Sequence, residues 1–151
     1  MGPYSVYKRV LRFKSKYPST VAWRLERNSN VVQQHLNPGE ELVYVFCGQK
    51  NDSPLNFFET CVVALTTKRI LIGRKRLFFG YFLSSITPDM FNDLGIAEGM
   101  LWGKVHIDTI KEYVTISNIA KDALREIETQ VSEYMMKIKK KYKEETGGGL
   151  G

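Results

Sequence analysis

The apolar residues near the start of the chain recur with the period of a helix. At about 100° per residue, the apolar side chains of 4–17 fall on one half of a helical wheel, and the basic ones, except Lys14, fall on the other. Pro18 ends this segment, because the residue before a proline avoids the helical conformation. The sequence therefore predicts a basic amphipathic helix over 4–17.

A second helical stripe follows, and either Ser19 or Thr20 can cap it. The polar sequence NSN at 28–30 is a candidate break within it, and NPGE at 37–40 closes it, since Pro and Gly so placed stop a helix. Residues 1–38 are thus predicted to form a helical arm.

After this arm the apolar pattern becomes strand-like. Short runs rich in β-branched and aromatic residues are separated by turn residues, among them TTK at 66–68 and RKR at 74–76, whereas 89–100 is less regular. The runs are ELVYVFCG, FFETCVVALT, RILIG, LFFGYFLSSI, LWGKVHIDT and EYVTIS. About six or seven short strands at this spacing are typical of an antiparallel barrel or sandwich.

The last predicted element is a long helix over 118–143. This segment has no Gly or Pro, and its apolar residues recur at alternating three- and four-residue steps. Ser117 or Asn118 can cap its start, and the lysines of 137–141 suit its C-terminal end. Residues 144–151 are predicted to be a flexible tail.

These elements predict an α+β protein. A bent antiparallel sheet of about seven strands, closed by the C-terminal helix, forms a domain at 39–143, and the helical arm precedes it. The length of 151 residues fits one domain with an appendage.

Charge is concentrated in the arm. The net charge is +6, and residues 1–38 hold seven Lys and Arg against a single acidic residue, Glu26. Attraction to phosphates or to an anionic surface is therefore expected to involve this segment.

Other residue patterns exclude several classes of protein. The two cysteines, Cys47 and Cys61, make neither a disulfide framework nor a zinc site, which favours a cytoplasmic protein with reduced thiols. No signal peptide or membrane-spanning run is evident. His35 and His106 have no partner pattern for catalysis, so no enzymatic activity and no cofactor are predicted.

Two short motifs resemble one family. Leu36, Pro38, Gly39 and Glu40 match an L-x-P-G-E motif, and Leu65, Thr66, Arg69 and Ile70 match an L-T-x-x-R-[IL] motif, both of the bacterial pleckstrin-homology-like (YokE-like) domains. The resemblance covers roughly residues 30–141, and the GRAM domain belongs to the same pleckstrin-homology (PH) superfold. It implies two bent sheets of seven strands in all, closed by a C-terminal helix, in a non-catalytic binding module.

The resemblance also carries expectations about ligands and assembly. Members that bind phosphorylated inositols place several cations in the loop between the first two strands, but here Lys50 stands alone beside Asp52. This departure counts against such a site. Bacterial members can form rings through strand edges, which implies a homo-oligomer for this chain.

Arg69 has a structural interpretation. It follows the turn at 66–68, and it can pair with Glu59 on the neighbouring strand or lie over an aromatic ring. We favour either role over ligand binding.

Two groups of cations are the candidate contacts with an anionic surface: Lys8, Arg9, Arg12 and Lys16 in the first helix, and Arg74, Lys75 and Arg76 in a predicted turn. A basic turn is ordinarily only solvated, and an amphipathic helix can dock on its own domain or on a neighbour. The same helix can instead lie in a membrane interface. Docking is the favoured interpretation of the helix.

Two functional hypotheses follow. The first is a protein-interaction or self-assembly scaffold, supported by the aromatic run LFFGYFL and by the edges that an open sheet must have. The second is a cytoplasmic protein that binds a membrane surface through the first helix. Nucleic-acid binding is not favoured, because no recognition motif accompanies the charge.

Overall fold

The computed structural model describes residues 2, 4–50 and 59–147. Seven strands and three α-helices account for most of them. The helices are α1 (Ser5–Lys16), α2 (Leu25–His35) and α3 (Leu124–Glu145), and the strands are β1 (Leu42–Lys50), β2 (Thr60–Thr66), β3 (Ile70–Lys75), β4 (Tyr81–Ile86), β5 (Phe91–Glu98), β6 (Trp102–Thr109) and β7 (Tyr113–Ala120). The predicted loop between the first two strands falls mostly on 51–58, outside the described residues.

The strands form one curled antiparallel sheet in the order β4-β3-β2-β1-β7-β6-β5. The two halves of the sheet meet where β1 pairs with β7; among the described residues, Gln49 pairs with Ser117 and Lys50 with Ile116. Every residue of β2 is buried, as its two-faced apolarity predicts. The predicted α+β, PH-like class is confirmed.

The first two helices pack onto this sheet. Val6, Val10 and Phe13 of α1 are almost fully buried, and they belong to the same hydrophobic core as the strands. Val32 of α2 joins that core too, and it lies against Gly73 of β3. The arm at 1–38 therefore shares its core with the domain at 39–143, while the boundary between them stays a prediction.

Two helix starts differ from those predicted. The C-terminal helix begins at Leu124, not at 118, because Ile119 and Ala120 still pair with β6 and Asn118 is left-handed at a φ of +57°. Neither Ser117 nor Asn118 caps it, since Ala123 occupies the cap position.

The second helix begins later than a cap at Ser19 or Thr20 would require. It follows Arg24, and the Thr20 hydroxyl instead accepts the Ala120 N–H at 2.9 Å. The sequence NSN at 28–30 does not break this helix, because Asn28 and Ser29 are buried within it.

The basic sequence RKR does not form the turn that was predicted for it. Arg74 and Lys75 are the last residues of β3, and only Arg76 belongs to the connection to β4. In the less regular stretch 89–100, Gly95 lies within β5 and Gly99 follows that strand. At the C-terminus, α3 continues to Glu145, so the predicted tail begins later than residue 144; residues 148–151 lie outside the described chain.

Candidate functional site

The hairpin between β3 and β4 ends in an exposed apolar tip. Arg76 donates its backbone N–H to the Gly80 carbonyl at 3.0 Å, and Gly80 has a φ of +77°, which closes the connection. Leu77, Phe78 and Phe79 lie between them, and their exposed fractions are 59%, 81% and 85%. Single exposed apolar residues are ordinary, but three consecutive ones at a hairpin end form a patch. We call residues 77–79 the hairpin tip.

Cations surround the base of the hairpin tip. Arg74 lies opposite Phe82 in the strand pairing, and its guanidinium carbon is 4.5 Å from the centroid of that ring. The guanidinium of Arg76 also lies over Phe82, at 5.2 Å. Stacking of this kind holds a guanidinium beside an apolar surface while leaving it available to an anion. An open recess of about 510 Å³ lies between these side chains and the tip.

The candidate cations of α1 have other surroundings. Arg9 donates to the Val43 carbonyl at 3.2 Å, and Lys16 forms an ion pair with Glu126, whereas Lys8 and Arg12 are exposed. Val6, Val10 and Phe13 of the apolar face of α1 are buried in the domain, so this helix docks on its own domain, as the favoured interpretation expects.

The two groups of cations lie at different ends of the sheet. Arg9 bonds to the start of β1, which pairs with the end of β2 near Thr66, whereas Lys75 lies beside the start of β2. These ends are the two ends of the seven-residue strand β2, which lie about 20 Å apart at a rise of roughly 3.3 Å per residue.

Arg69 is structural, but its partner is Glu40, not the predicted Glu59. Its Nε donates to Glu40 at 3.1 Å, and its terminal nitrogens reach the His35 carbonyl at 2.8 Å and the Ser85 hydroxyl at 3.1 Å. Glu59 precedes the opposite end of β2, so a strand length separates it from Arg69.

Glu40 is the centre of this buried cluster. Its carboxylate also accepts the Asn37 N–H at 3.0 Å and the Thr66 hydroxyl. The two sequence motifs are therefore joined by one ion pair between their charged members. Each motif specifies one charged residue, and the two charges are opposite. This pattern could have predicted the ion pair from the sequence, but we predicted Glu59 as a partner of Arg69 instead.

The two cysteines and the two histidines make packing contacts or hydrogen bonds within the domain. Burial raises the pKa of both thiols, Cys47 and Cys61, to about 12, so neither is a nucleophile near neutral pH. His35 contacts the Val31 carbonyl and the Tyr81 hydroxyl, and His106 stacks on Tyr113. Within 2, 4–50 and 59–147, no group of three His, Cys, Asp or Glu side chains is placed to hold a metal ion.

This curled seven-stranded sheet, with its C-terminal helix and N-terminal helices, defines a PH-like module. The Bacterial PH domain family matches residues 36–133, which is more than half of the chain, so the chain belongs to that family. PH domains are in general non-catalytic binding modules. No curated protein and no solved structure matches the chain. None of the helices in the described part of the chain is both long and apolar enough to span a bilayer.

Proposed function

We propose that the chain is a non-catalytic module that binds an anionic membrane surface through the hairpin tip and the cations at its base. The observation that carries this proposal is the exposure of Leu77, Phe78 and Phe79 directly beside Arg74, Lys75 and Arg76. An apolar end flanked by cations suits the boundary between lipid headgroups and acyl chains.

The apolar part of the hairpin tip supplies energy for insertion. Full removal of a large apolar side chain from water yields about 1.5–3 kcal/mol. Phe78 and Phe79 are almost entirely exposed in the free protein, so most of this energy is available to a contact outside the chain.

The cations supply the attraction to the surface. Each Lys or Arg close to an anionic leaflet contributes about 1 kcal/mol, and this contribution falls within a Debye length. Arg74, Lys75 and Arg76 are consecutive, so insertion of the tip brings all three to headgroup depth together.

The first helix is a poorer candidate for insertion. Val6, Val10 and Phe13 would have to leave the core before they could enter a membrane, and Val6 and Val10 are fully buried. We therefore propose the β3–β4 hairpin, and not α1, as the membrane contact.

Self-assembly is the competing function. Strands β4 and β5 are the first and last of the sheet, so each has one side that the sheet does not use. Under this alternative, the protein forms a defined oligomer and does not bind vesicles.

Co-sedimentation with anionic and with neutral vesicles over a salt series tests the proposal. We expect salt-sensitive binding to anionic vesicles alone. In the variant F78A/F79A, the partition coefficient should fall at least roughly 100-fold. The matched control is M100A/L101A, which removes two exposed apolar side chains from the β5–β6 loop, where they are 92% and 67% exposed. This control should bind as the unaltered protein does.

A second pair of variants tests the cations. K75E/R76E and K8E/R12E change the net charge equally, but only the first pair should abolish binding. Arg74 stays in place because its Nε is buried. Equal loss in both variants would show that only net charge matters, and loss in K8E/R12E alone would return the contact to α1. Absence of vesicle binding, with light scattering showing an oligomer, would replace the proposal with self-assembly.

A further inference from the structure

The chain between α1 and α2 approaches the base of the same hairpin. Gly73 pairs with Val62, and continuing this register by two residues sets Thr60 opposite Lys75. The Thr60 hydroxyl oxygen accepts the backbone N–H of Trp23 at 2.9 Å. Trp23 therefore lies at the hairpin end of the sheet, although 37 residues separate it from Thr60 in the sequence.

A buried amide fixes this arrangement. Asn28, which is only 3% exposed, donates its Nδ2 to the Trp23 carbonyl at 3.0 Å. Its Oδ1 accepts the backbone N–H of Lys75 at 2.7 Å. One side chain thus joins the backbone at Trp23 to the base of the hairpin tip.

Trp23 nevertheless has most of its side chain in water. Its exposed fraction is 56%, and the next residue, Arg24, has a left-handed φ of +51° that non-glycine residues rarely adopt. The carbonyl of Arg24 accepts the Asn28 N–H at 3.0 Å, which stabilises this bend at the start of α2. The exposed indole therefore stands directly before this bend.

The chemistry of this bend matches that of the hairpin tip. Indole rings favour the headgroup region of a membrane, where the apolar ring and the polar N–H each find suitable surroundings. Arg24 and Arg27 add two cations, and Glu26 is the acidic residue among them.

We infer that Trp23 is a second membrane contact, which enters the headgroup region together with the hairpin tip and so fixes the orientation of the domain. This inference rests on the proposed function. The partner is the same anionic lipid surface. Trp23 and Asn28 precede the residues that match the family, so the contact belongs to this chain's N-terminal segment.

Fluorescence tests the inference separately from the hairpin. The chain has two tryptophans, and Trp102 is partly buried with its Nε1 donating to the Ser19 carbonyl at 2.8 Å. In the variant W102F, the remaining emission comes from Trp23. With anionic vesicles it should shift to shorter wavelength, and lipids brominated on their acyl chains should quench it.

The complementary variant W23A serves if W102F does not fold. Its Trp102 emission should not change with vesicles, and its partition coefficient should be roughly tenfold lower than that of the unaltered protein. Vesicle binding that leaves the Trp23 emission unchanged would overturn the second contact and leave the hairpin proposal standing. Absence of binding to anionic vesicles by the unaltered protein would overturn both.

Discussion

The ion pair between Glu40 and Arg69 allows the sharpest test of what holds the fold together. The side chain of Glu40 has no exposed surface, and that of Arg69 is 18% exposed. Replacing Arg69 by Ala leaves the Glu40 carboxylate buried with the Asn37 N–H and the Thr66 hydroxyl as its remaining donors. It also removes the donors to the His35 carbonyl and to Ser85, at the end of α2 and on β4.

The expected cost of this substitution is large. Removing one member of a buried ion pair destabilises a protein by about 3–5 kcal/mol, because the other charge is left uncompensated. A domain of this size has a total free energy of unfolding of about 5–15 kcal/mol. We therefore expect R69A to remain folded at low temperature with a much lower urea midpoint. The variant E40Q keeps a hydrogen-bonding group but loses the charge, and it should cost about 1.5–3 kcal/mol.

Urea unfolding at neutral pH, followed by circular dichroism, measures both costs. Arg125, an exposed residue of α3, supplies the control R125A, which should change the free energy by less than about 0.5 kcal/mol. The double variant E40Q/R69A completes a cycle, and its cost should be clearly smaller than the sum of the single costs. Additive costs, or a cost of R69A no larger than that of R125A, would refute the reasoning.

Three further predictions concern stability and accessibility. Burial alone would raise the pKa of Glu40, but hydrogen bonds from Arg69, Thr66 and Asn37 lower it below its ordinary value of 4.5. The contribution of Glu40 to the free energy of unfolding should therefore be complete above pH 4.5 and be lost as the pH falls through the lowered pKa. When the free energy of unfolding is measured over an acid titration, it should fall less in E40Q than in the unaltered protein. Because burial raises both thiol pKa values to about 12, a thiol reagent at pH 8 should label Cys47 and Cys61 only after unfolding, and rapid labelling of the folded protein would contradict this. In thermal unfolding, G73A should cost about 1–3 kcal/mol, because the added Cβ would lie 2.7 Å from Val32. The control G95A should be nearly neutral, since the nearest atom to its Cβ would be 3.5 Å away. Equal effects of the two substitutions would contradict tight packing of α2 on β3.

The sequence predicted elements better than it predicted where they begin. The apolar stripe of α3 is real, and Leu124, Ile127 and Val131 are buried as its period requires. The same period extends backwards to Ala120, where pairing with Trp102 of β6 overrides it. A period of apolar residues contains no information about the hydrogen bonds of a neighbouring strand, so it cannot place this boundary.

The candidate site was only partly predictable. The pattern of α1 is the same whether its apolar face meets a membrane or its own sheet, and only the burial of residues such as Phe13 distinguishes the two. The hairpin was recognised as a turn, but its cations were expected to be merely solvated. In the structure Arg74 and Lys75 pair with β4, so the exposed connection consists mainly of Leu77, Phe78 and Phe79. Local residue preferences do not determine this strand register, so the sequence could not place the end of β3.

The composition of the hairpin tip is not explained by the needs of the fold. The β3–β4 ladder is complete from Ile70–Ile86 to Lys75–Tyr81, and none of Leu77, Phe78 or Phe79 belongs to the hydrophobic core. A polar connection would close the same hairpin and would avoid the aggregation that an exposed apolar tip promotes. Since the tip contributes little to the core of the chain that bears it, its apolar residues are best explained by a contact outside the chain. The adjacent cations and the exposed indole of Trp23 are the features that the proposed contact with an anionic lipid surface requires.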